Sequence, residues 1–107
     1  MNQKIQDRLN VTREECIDFC KQNQIQELSV FGSVIREDFT KTSDIDFLVV
    51  FDPKIKLSLM NLVNIQYQLE DKIGRKIDLI EKRSIEKSNN WIRRKNVLDT
   101  AIIIYES

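Results

Sequence analysis

The strongest constraint on how this chain can fold is the segment from Asp44 to Phe51, DIDFLVVF. Its second half is apolar at every position, which is typical of a strand that is covered on both faces of a sheet. Because side chains alternate across a strand, Asp44 and Asp46 point to one face while Ile45 and Phe47 point to the other, into a core. The chain therefore places two carboxylates at the head of a strand that has to be buried.

Weaker patterns define the other elements. The predicted elements are, in chain order, a capped helix from Thr12 to about Asn23, a strand over Glu27–Ser33, the strand over 44–51, a helix over Leu57–Ile73 closed by Gly74, a strand over Lys76–Ile80, a short helical piece capped by Ser84 and a helix over Trp91–Thr100. Residues 101–105, AIIIY, fit either an extension of that helix or a last strand. This order predicts an α/β (α+β) fold, a small mixed sheet flanked by helices.

Length and charge limit the class of protein. A chain of 107 residues is expected to form one domain over 1–107, with residues 1–10 as a loose lead-in. The 17 basic and 17 acidic residues cancel, which gives no support for general adhesion to nucleic acid or membranes. No apolar run approaches the roughly 20 residues of a membrane helix, and the polar N-terminus lacks a signal-peptide core. We therefore expect a cytoplasmic protein.

The chain has no histidine and only two cysteines, Cys16 and Cys20. The cysteines are spaced by four on a predicted helix, and we expect them to be small buried apolar residues. Without histidine there is no Ser-His or Cys-His mechanism, and a structural zinc site lacks ligands. A bound metal ion must therefore be held by oxygen, which indicates magnesium or manganese.

A third carboxylate, Asp78, lies in the middle of the predicted strand KIDLI. If this strand lies near the segment 44–51, Asp78 converges with Asp44 and Asp46. Carboxylates this close repel one another unless a cation lies between them. Three of them can hold two magnesium ions, which can bind triphosphate oxygens, lower the pKa of an attacking hydroxyl and stabilise a leaving pyrophosphate.

Gly32 and Ser33 follow the first strand, ten residues before the aspartates. Glycine lets the backbone approach a ligand closely, and the Ser33 amide and hydroxyl can donate to phosphate oxygens. Taken singly, Gly-Ser is usually a turn, and Asp-x-Asp is often a cap with an exposed charge. The combined pattern at this spacing is expected by chance in on the order of one in a thousand chains of this length.

The segment FGSVIREDFTKTSDIDFLVVFD resembles the signature of the minimal nucleotidyltransferase (MNT) proteins of the DNA polymerase beta superfamily. That signature is Gly-Ser, ten residues, Asp-x-Asp and a third acidic residue on a later strand. Gly32, Ser33, Asp44, Asp46 and Asp78 match it, and the similarity runs from about residue 28 to residue 105. The resemblance implies a nucleotidyltransferase-like fold.

The resemblance also implies an activity and a partner. MNT proteins commonly act as antitoxins in type VII-like pairs with a helical HEPN ribonuclease toxin. Several members transfer AMP from ATP to a tyrosine of that toxin. This protein would then be a magnesium-dependent protein adenylyltransferase that forms a hetero-oligomer with its toxin.

By the same resemblance, Asp44, Asp46 and Asp78 would be the catalytic residues and would hold magnesium, with two ions expected. Asp78 would also help to activate the tyrosine hydroxyl. Gly32, Ser33 and Arg36 would bind the nucleotide. The chain departs from the family at Val34, where arginine is frequent, and the adjacent Glu37 and Asp38 add negative charge.

Other functions stay open. The protein could neutralise its toxin by binding alone, transfer a nucleotide to a small molecule or RNA, or be an α/β scaffold with accidental acids.

A chain this short has little room for a domain that holds the acceptor of the nucleotide, so another molecule is expected to present the acceptor. Met60, Val63 and Tyr67 on the long helix are candidates for that contact or for the core. The basic run at 93–95 is read as a solvated helix face, so no direct nucleic-acid binding is expected.

Overall fold

A mixed sheet of four strands forms the centre of the computed structural model, which describes all 107 residues. The strands are β1 (Ile25–Phe31), β2 (Ile45–Phe51), β3 (Ile77–Glu81) and β4 (Ile102–Glu106), and their order across the sheet is β3-β2-β1-β4. β1 is antiparallel to both β2 and β4, whereas β2 and β3 are parallel. This architecture confirms the predicted fold class.

Five helices cover the two faces of this sheet. They are α1 (Gln3–Leu9), α2 (Arg13–Gln22), α3 (Leu59–Ile73), α4 (Lys82–Glu86) and α5 (Trp91–Thr100). A cluster of 19 buried apolar residues joins α1, α2 and α3 to one face. A smaller cluster on the other face consists of Phe31, Leu48, Ile85 and Val97, and it joins α4 and α5 to the sheet. β2 is therefore covered on both faces, as its apolar run predicts.

The ends of the long helices follow local sequence signals. Thr12 caps α2 in a reciprocal capping box with Glu15, as predicted. Gly74 ends α3 in the left-handed conformation, with φ +82°, which is also as predicted. The prediction for Ser84 was wrong, because Ser84 lies inside α4 and the N-cap position belongs to Glu81. None of the helices is long and apolar enough to cross a membrane.

Residues 1–10 are not the loose lead-in that the sequence suggested. They form α1, whose first turn is capped by the Asn2 side chain, which accepts a hydrogen bond from the Ile5 amide at 2.9 Å. Ile5 and Leu9 are both buried in the larger cluster. A two-turn helix is marginal by itself, so packing of these two side chains, rather than local propensity, stabilises it.

Three further expectations are settled by the structure. Residues 102–106 form the edge strand β4, which decides between the two readings of AIIIY. Cys16 and Cys20 are free and buried, as predicted. The helical spacing of Leu59, Leu62, Val63, Gln66, Leu69 and Ile73 predicts a core stripe on the long helix. Leu59 departs from this prediction because it is 78% exposed, and the buried residues of α3 are Ile65, Leu69 and Ile73.

Candidate active site

The parallel pairing of β2 and β3 brings two of the predicted carboxylates together. In this register Asp46 lies opposite Asp78, directly after the buried pair Ile45 and Ile77. Both aspartates lie on the sheet face that α4 and α5 cover, because they alternate with residues of the larger core. Asp44 precedes the strand by one residue and is exposed. Strand register therefore accounts for the convergence of Asp46 and Asp78, whereas Asp44 lies beside this pair at the cleft and not in register with it.

Side chains of α3 hold β3 in place along its free edge. The Ile77 amide donates to Glu70 Oε2 at 3.1 Å, and the Leu79 amide donates to Gln66 Oε1 at 3.4 Å. These bonds satisfy edge amides on both sides of Asp78 that have no strand partner. The backbone that carries Asp78 is thereby fixed from the sheet and from the helix.

The Gly32–Ser33 turn packs against the same carboxylates. β1 ends at Phe31, the register partner of Asp46, and a single 3-10 turn over Gly32–Ile35 follows at once. Gly32 has φ +76°, and a Cβ atom at this position would overlap Asp46 Oδ2. The Ser33 hydroxyl donates to the Asp44 carbonyl oxygen at 3.3 Å. Only glycine lets the backbone approach the carboxylate this closely.

All six predicted site residues line one cleft of about 640 Å³. The cleft is lined by Phe31, Gly32, Ser33, Arg36, Ser43, Asp44, Asp46, Asp78, Asn96, Val97 and Thr100. The structure therefore brings together every residue that the motif selected. Sequence reasoning missed the wall that α5 supplies, of which Asn96 and Thr100 are the polar members. Their i, i+4 spacing on a predicted helix was the only available signal, and it did not connect them to the motif.

The surroundings of Asp46 disfavour the ionised form of its carboxyl group. Burial raises the pKa of Asp46, and the negative charges of Asp78 and Asp44 and a hydrogen bond with Asp78 raise it further. The positive charge of Arg36 acts in the opposite direction. A cation bound between Asp46 and Asp78 would remove this repulsion.

The donor set fits a magnesium ion that two carboxylates and substrate phosphate share. Every candidate ligand in the cleft is an oxygen, which suits Mg²⁺. No group of three carboxylates or thiolates forms a ready-made metal cluster in the structure. Mg²⁺ is commonly bound by one or two carboxylates together with substrate phosphates, rather than by an all-protein cage. The Asp46–Asp78 pair meets that requirement.

Arg36 supplies a cation at the mouth of the cleft. Its Nε lies 3.1 Å from Asp38 Oδ1, and Glu37 pairs with Lys4 at the same distance. Both acidic residues that follow Arg36 are therefore neutralised locally. The Arg36–Asp38 pair is exposed, and exposed ion pairs contribute little to stability, so a phosphate can displace Asp38 at little cost.

A Gly-Ser turn, paired strand carboxylates and a mixed sheet define a nucleotidyltransferase. The sequence model of the family described as "Nucleotidyltransferase domain" matches residues 13–104. The chain belongs to this family.

Two relatives of the chain carry the name protein adenylyltransferase. A provisionally named protein adenylyltransferase of Methanocaldococcus jannaschii is 34% identical over 77 residues, which cover 72% of this chain and 81% of the relative. The protein adenylyltransferase MntA of Thermococcus cleftensis is 36% identical over 62 residues, which cover 58% of this chain and 61% of the relative.

Solved structures share the fold. A toxin-antitoxin crystal structure with AMP-PNP superposes with a TM-score of 0.69 at 18% identity, covering 91% of this chain and 75% of that chain. A complex of tri-AMPylated HEPN toxin with MNT antitoxin from Shewanella oneidensis gives a TM-score of 0.60 at 18% identity, covering 89% and 70%. At this identity the likeness establishes the fold alone.

The raised pKa of Asp46 predicts that Asp46→Asn stabilises the metal-free protein. The folded protein binds the Asp46 proton more tightly than the unfolded chain, whose Asp pKa is about 3.9, so protonated Asp46 contributes to the free energy of unfolding at low pH. This contribution is lost as the pH rises through the pKa of Asp46 in the folded protein. In EDTA at pH 7 the variant should therefore melt a few degrees above the wild type, and the difference should vanish near pH 4. Asp71→Asn, at an exposed position on α3, is the control. A variant that melts at or below the wild-type temperature at pH 7 contradicts this reading.

The close approach at Gly32 predicts that Gly32→Ala and Gly74→Ala differ. Both glycines have positive φ, but an added Cβ meets Asp46 only at position 32 and meets nothing within 4 Å at position 74. Gly74→Ala should cost about 1 kcal/mol of unfolding free energy in urea titrations, and Gly32→Ala should cost up to about 3 kcal/mol more. Equal losses for the two variants would show that Asp46 moves away freely.

Proposed function

We propose that this protein is a magnesium-dependent nucleotidyltransferase that transfers AMP from ATP to a tyrosine of a HEPN-type ribonuclease toxin and so acts as its antitoxin. The observation that carries the proposal is the pairing of Asp46 with Asp78 in a cleft beside the Gly32–Ser33 turn. Support comes from the relatives named protein adenylyltransferase and from the shared fold of toxin-antitoxin complexes.

Each part of the nucleotide meets a different group of residues. Asp46 and Asp78, with Asp44 at the mouth, would hold up to two magnesium ions. Bound there, magnesium supplies positive charge that offsets the triphosphate charge and stabilises the leaving pyrophosphate. The amides of the Gly32–Ser33 turn would donate to phosphate oxygens, and the Ser33 hydroxyl would do so once it leaves the Asp44 carbonyl oxygen. Arg36 would add a charged donor once it leaves Asp38.

The proposed reaction is a single displacement at the α-phosphorus of ATP. The tyrosine oxygen forms a bond to this phosphorus, the bond from the α-phosphorus to the α–β bridging oxygen breaks, and pyrophosphate leaves. Asp78 is placed to accept the hydroxyl proton because it is exposed at the cleft, whereas Asp46 is half-buried. No protein nucleophile is needed, which agrees with a chain that has no histidine.

The acceptor comes from another protein in this proposal. Asp44 and Asp78 are exposed at the cleft, so an external side chain can reach the reacting atoms. Met60 and Tyr67 on α3 are exposed and Val63 is half-buried, but α3 packs on the sheet face opposite the aspartates, so this stripe does not border the cleft. We infer a hetero-oligomer with the toxin, acting in the cytoplasm where ATP is supplied.

Intact-mass spectrometry tests the proposed function. The protein is mixed with its candidate HEPN partner, ATP and Mg²⁺, in parallel with the double variant Asp44→Asn/Asp46→Asn and the surface control Asp71→Asn. The partner should gain mass in steps of one AMP with the wild type and with Asp71→Asn. It should gain none with the double variant or in EDTA, because the metal ligands are lost.

Two other outcomes would contradict the proposal. A stable complex that neutralises the toxin without added mass would show that the protein acts by binding alone. AMP transfer to a small molecule or RNA, with the partner left unmodified, would assign a different acceptor.

A further inference from the structure

Two arginines from distant parts of the chain hold the connection between the Gly32–Ser33 turn and Asp44. Arg8 on α1 donates from Nη1 to the Val34 and Arg36 carbonyl oxygens at 2.9 and 2.7 Å. Arg75, just before β3, donates from Nη1 to the Thr40 and Ser43 carbonyl oxygens at 3.2 and 3.0 Å. Four backbone carbonyls of residues 34–43 thus accept charged donors from outside the connection.

The same two arginines enclose one aromatic ring of the connection. The Phe39 ring lies 5.0 Å from Arg8 Cζ and 4.6 Å from Arg75 Cζ, distances at which cation–π attraction operates. Phe39 is half-buried and packs against the larger core cluster. Arginine suits this position because its planar guanidinium can stack on a ring while its N–H groups donate sideways. We name this arrangement of Arg8, Phe39 and Arg75 the arginine clamp.

The clamp supports the parts of the cleft that the strands do not fix. Asp46 and Asp78 lie on β2 and β3, where the sheet holds their backbone. Ser33, Arg36 and Asp44 lie on or beside the irregular connection. Their positions depend on the path of residues 34–43, which Arg8 and Arg75 tie down at both ends.

One half of the clamp comes from a part of the chain that the family match does not include. The nucleotidyltransferase match begins at residue 13, whereas α1 spans Gln3–Leu9. α1 is seated by its two buried apolar residues, and Arg8 lies between them in sequence. Delivery of Arg8 to the connection would give a role to α1, which contributes no residue to the lining of the cleft.

We propose that Arg8 and Arg75 are positioning residues for the nucleotide site, and that α1 serves to deliver Arg8 to the connection behind the phosphate-binding turn. The proposal rests on the nucleotide-binding part of the proposed function. It assigns the clamp to nucleotide affinity and not to the metal-binding pair on the strands.

Arg8→Ala separates these two roles. Calorimetric titration with Mg²⁺ and AMP-PNP should show an affinity about tenfold below that of the wild type, because two charge-assisted hydrogen bonds to the connection are lost. Binding of Mn²⁺ alone, measured by its paramagnetic signal, should stay within about twofold, because the Asp46–Asp78 pair is held by the strands. Arg8→Lys should restore part of the nucleotide affinity, because an ammonium group can donate to one of the two carbonyls.

Lys4→Ala is the matched control on α1. Lys4 also reaches the connection, through its ion pair with Glu37 at 3.1 Å, but both side chains are exposed. Exposed pairs contribute little, so the affinity of this variant for AMP-PNP should equal that of the wild type. Equal nucleotide affinity for Arg8→Ala and the wild type would overturn the proposal, and so would a parallel loss of Mn²⁺ and nucleotide binding.

Hydrogen exchange distinguishes failure of the clamp from failure of the proposed function. Without nucleotide, Arg8→Ala should speed amide exchange in residues 36–43 at least tenfold over the wild type, while β2 and β3 stay protected. If the wild type binds no AMP-PNP, the nucleotide function fails, and the exchange result decides whether the clamp orders the connection. Unchanged exchange in residues 36–43 would overturn the clamp in either case.

Discussion

Two like charges in register at the end of a sheet are the constraint on which the rest of this structure depends. Asp46 on β2 faces Asp78 on β3 because the parallel pairing aligns them, and the neighbours Ile45 and Ile77 are fully buried. A shift of one residue would turn the carboxylates into the core and expose the apolar residues, so the register is strongly specified. The fold therefore keeps a repulsion between Asp46 and Asp78 that no change of strand register can relieve, and a cation bound between them would relieve it.

The surrounding elements each hold one part of this arrangement. Side chains of α3 fix β3 through its edge amides, and α5 supplies the opposite wall of the cleft. Gly32 lets the Gly32–Ser33 turn approach Asp46. Arg8 on α1 and Arg75, just before β3, hold the connection through hydrogen bonds to its carbonyl oxygens. The site is assembled from elements that are far apart in sequence but each positioned by the same sheet.

Local signals were enough to predict much of this molecule. The run DIDFLVVF predicted a strand covered on both faces, and the alternation along it predicted that Asp46 faces away from the core residues Ile45 and Phe47. The placement of Gly32, Ser33, Arg36 and the three aspartates on one cleft agrees with the motif, while their chemical roles remain a proposal. The capping box at Thr12 and the glycine at position 74 correctly marked helix ends.

What could not be predicted depends on tertiary packing. α1 is stabilised by two buried side chains, and no local pattern in residues 1–10 indicates a surface to receive them. The wall formed by Asn96 and Thr100 depends on how α5 crosses the sheet, which spacing along one helix does not specify. Nothing in the sequence distinguishes Arg8 and Arg75 from other charged residues, and only the folded connection supplies the carbonyls and the ring that they contact.

Calorimetric titration of the wild type and of Asp78→Asn with AMP-PNP, each with Mg²⁺ and with EDTA, tests the central claim most directly. If the paired carboxylates persist because a cation and a triphosphate come between them, the wild type binds the analogue with Mg²⁺ and not with EDTA. The Asp78→Asn variant, which keeps the shape of the side chain but loses its charge, then binds at least tenfold more weakly. Equal binding in EDTA, or undiminished binding by Asp78→Asn, would contradict the account.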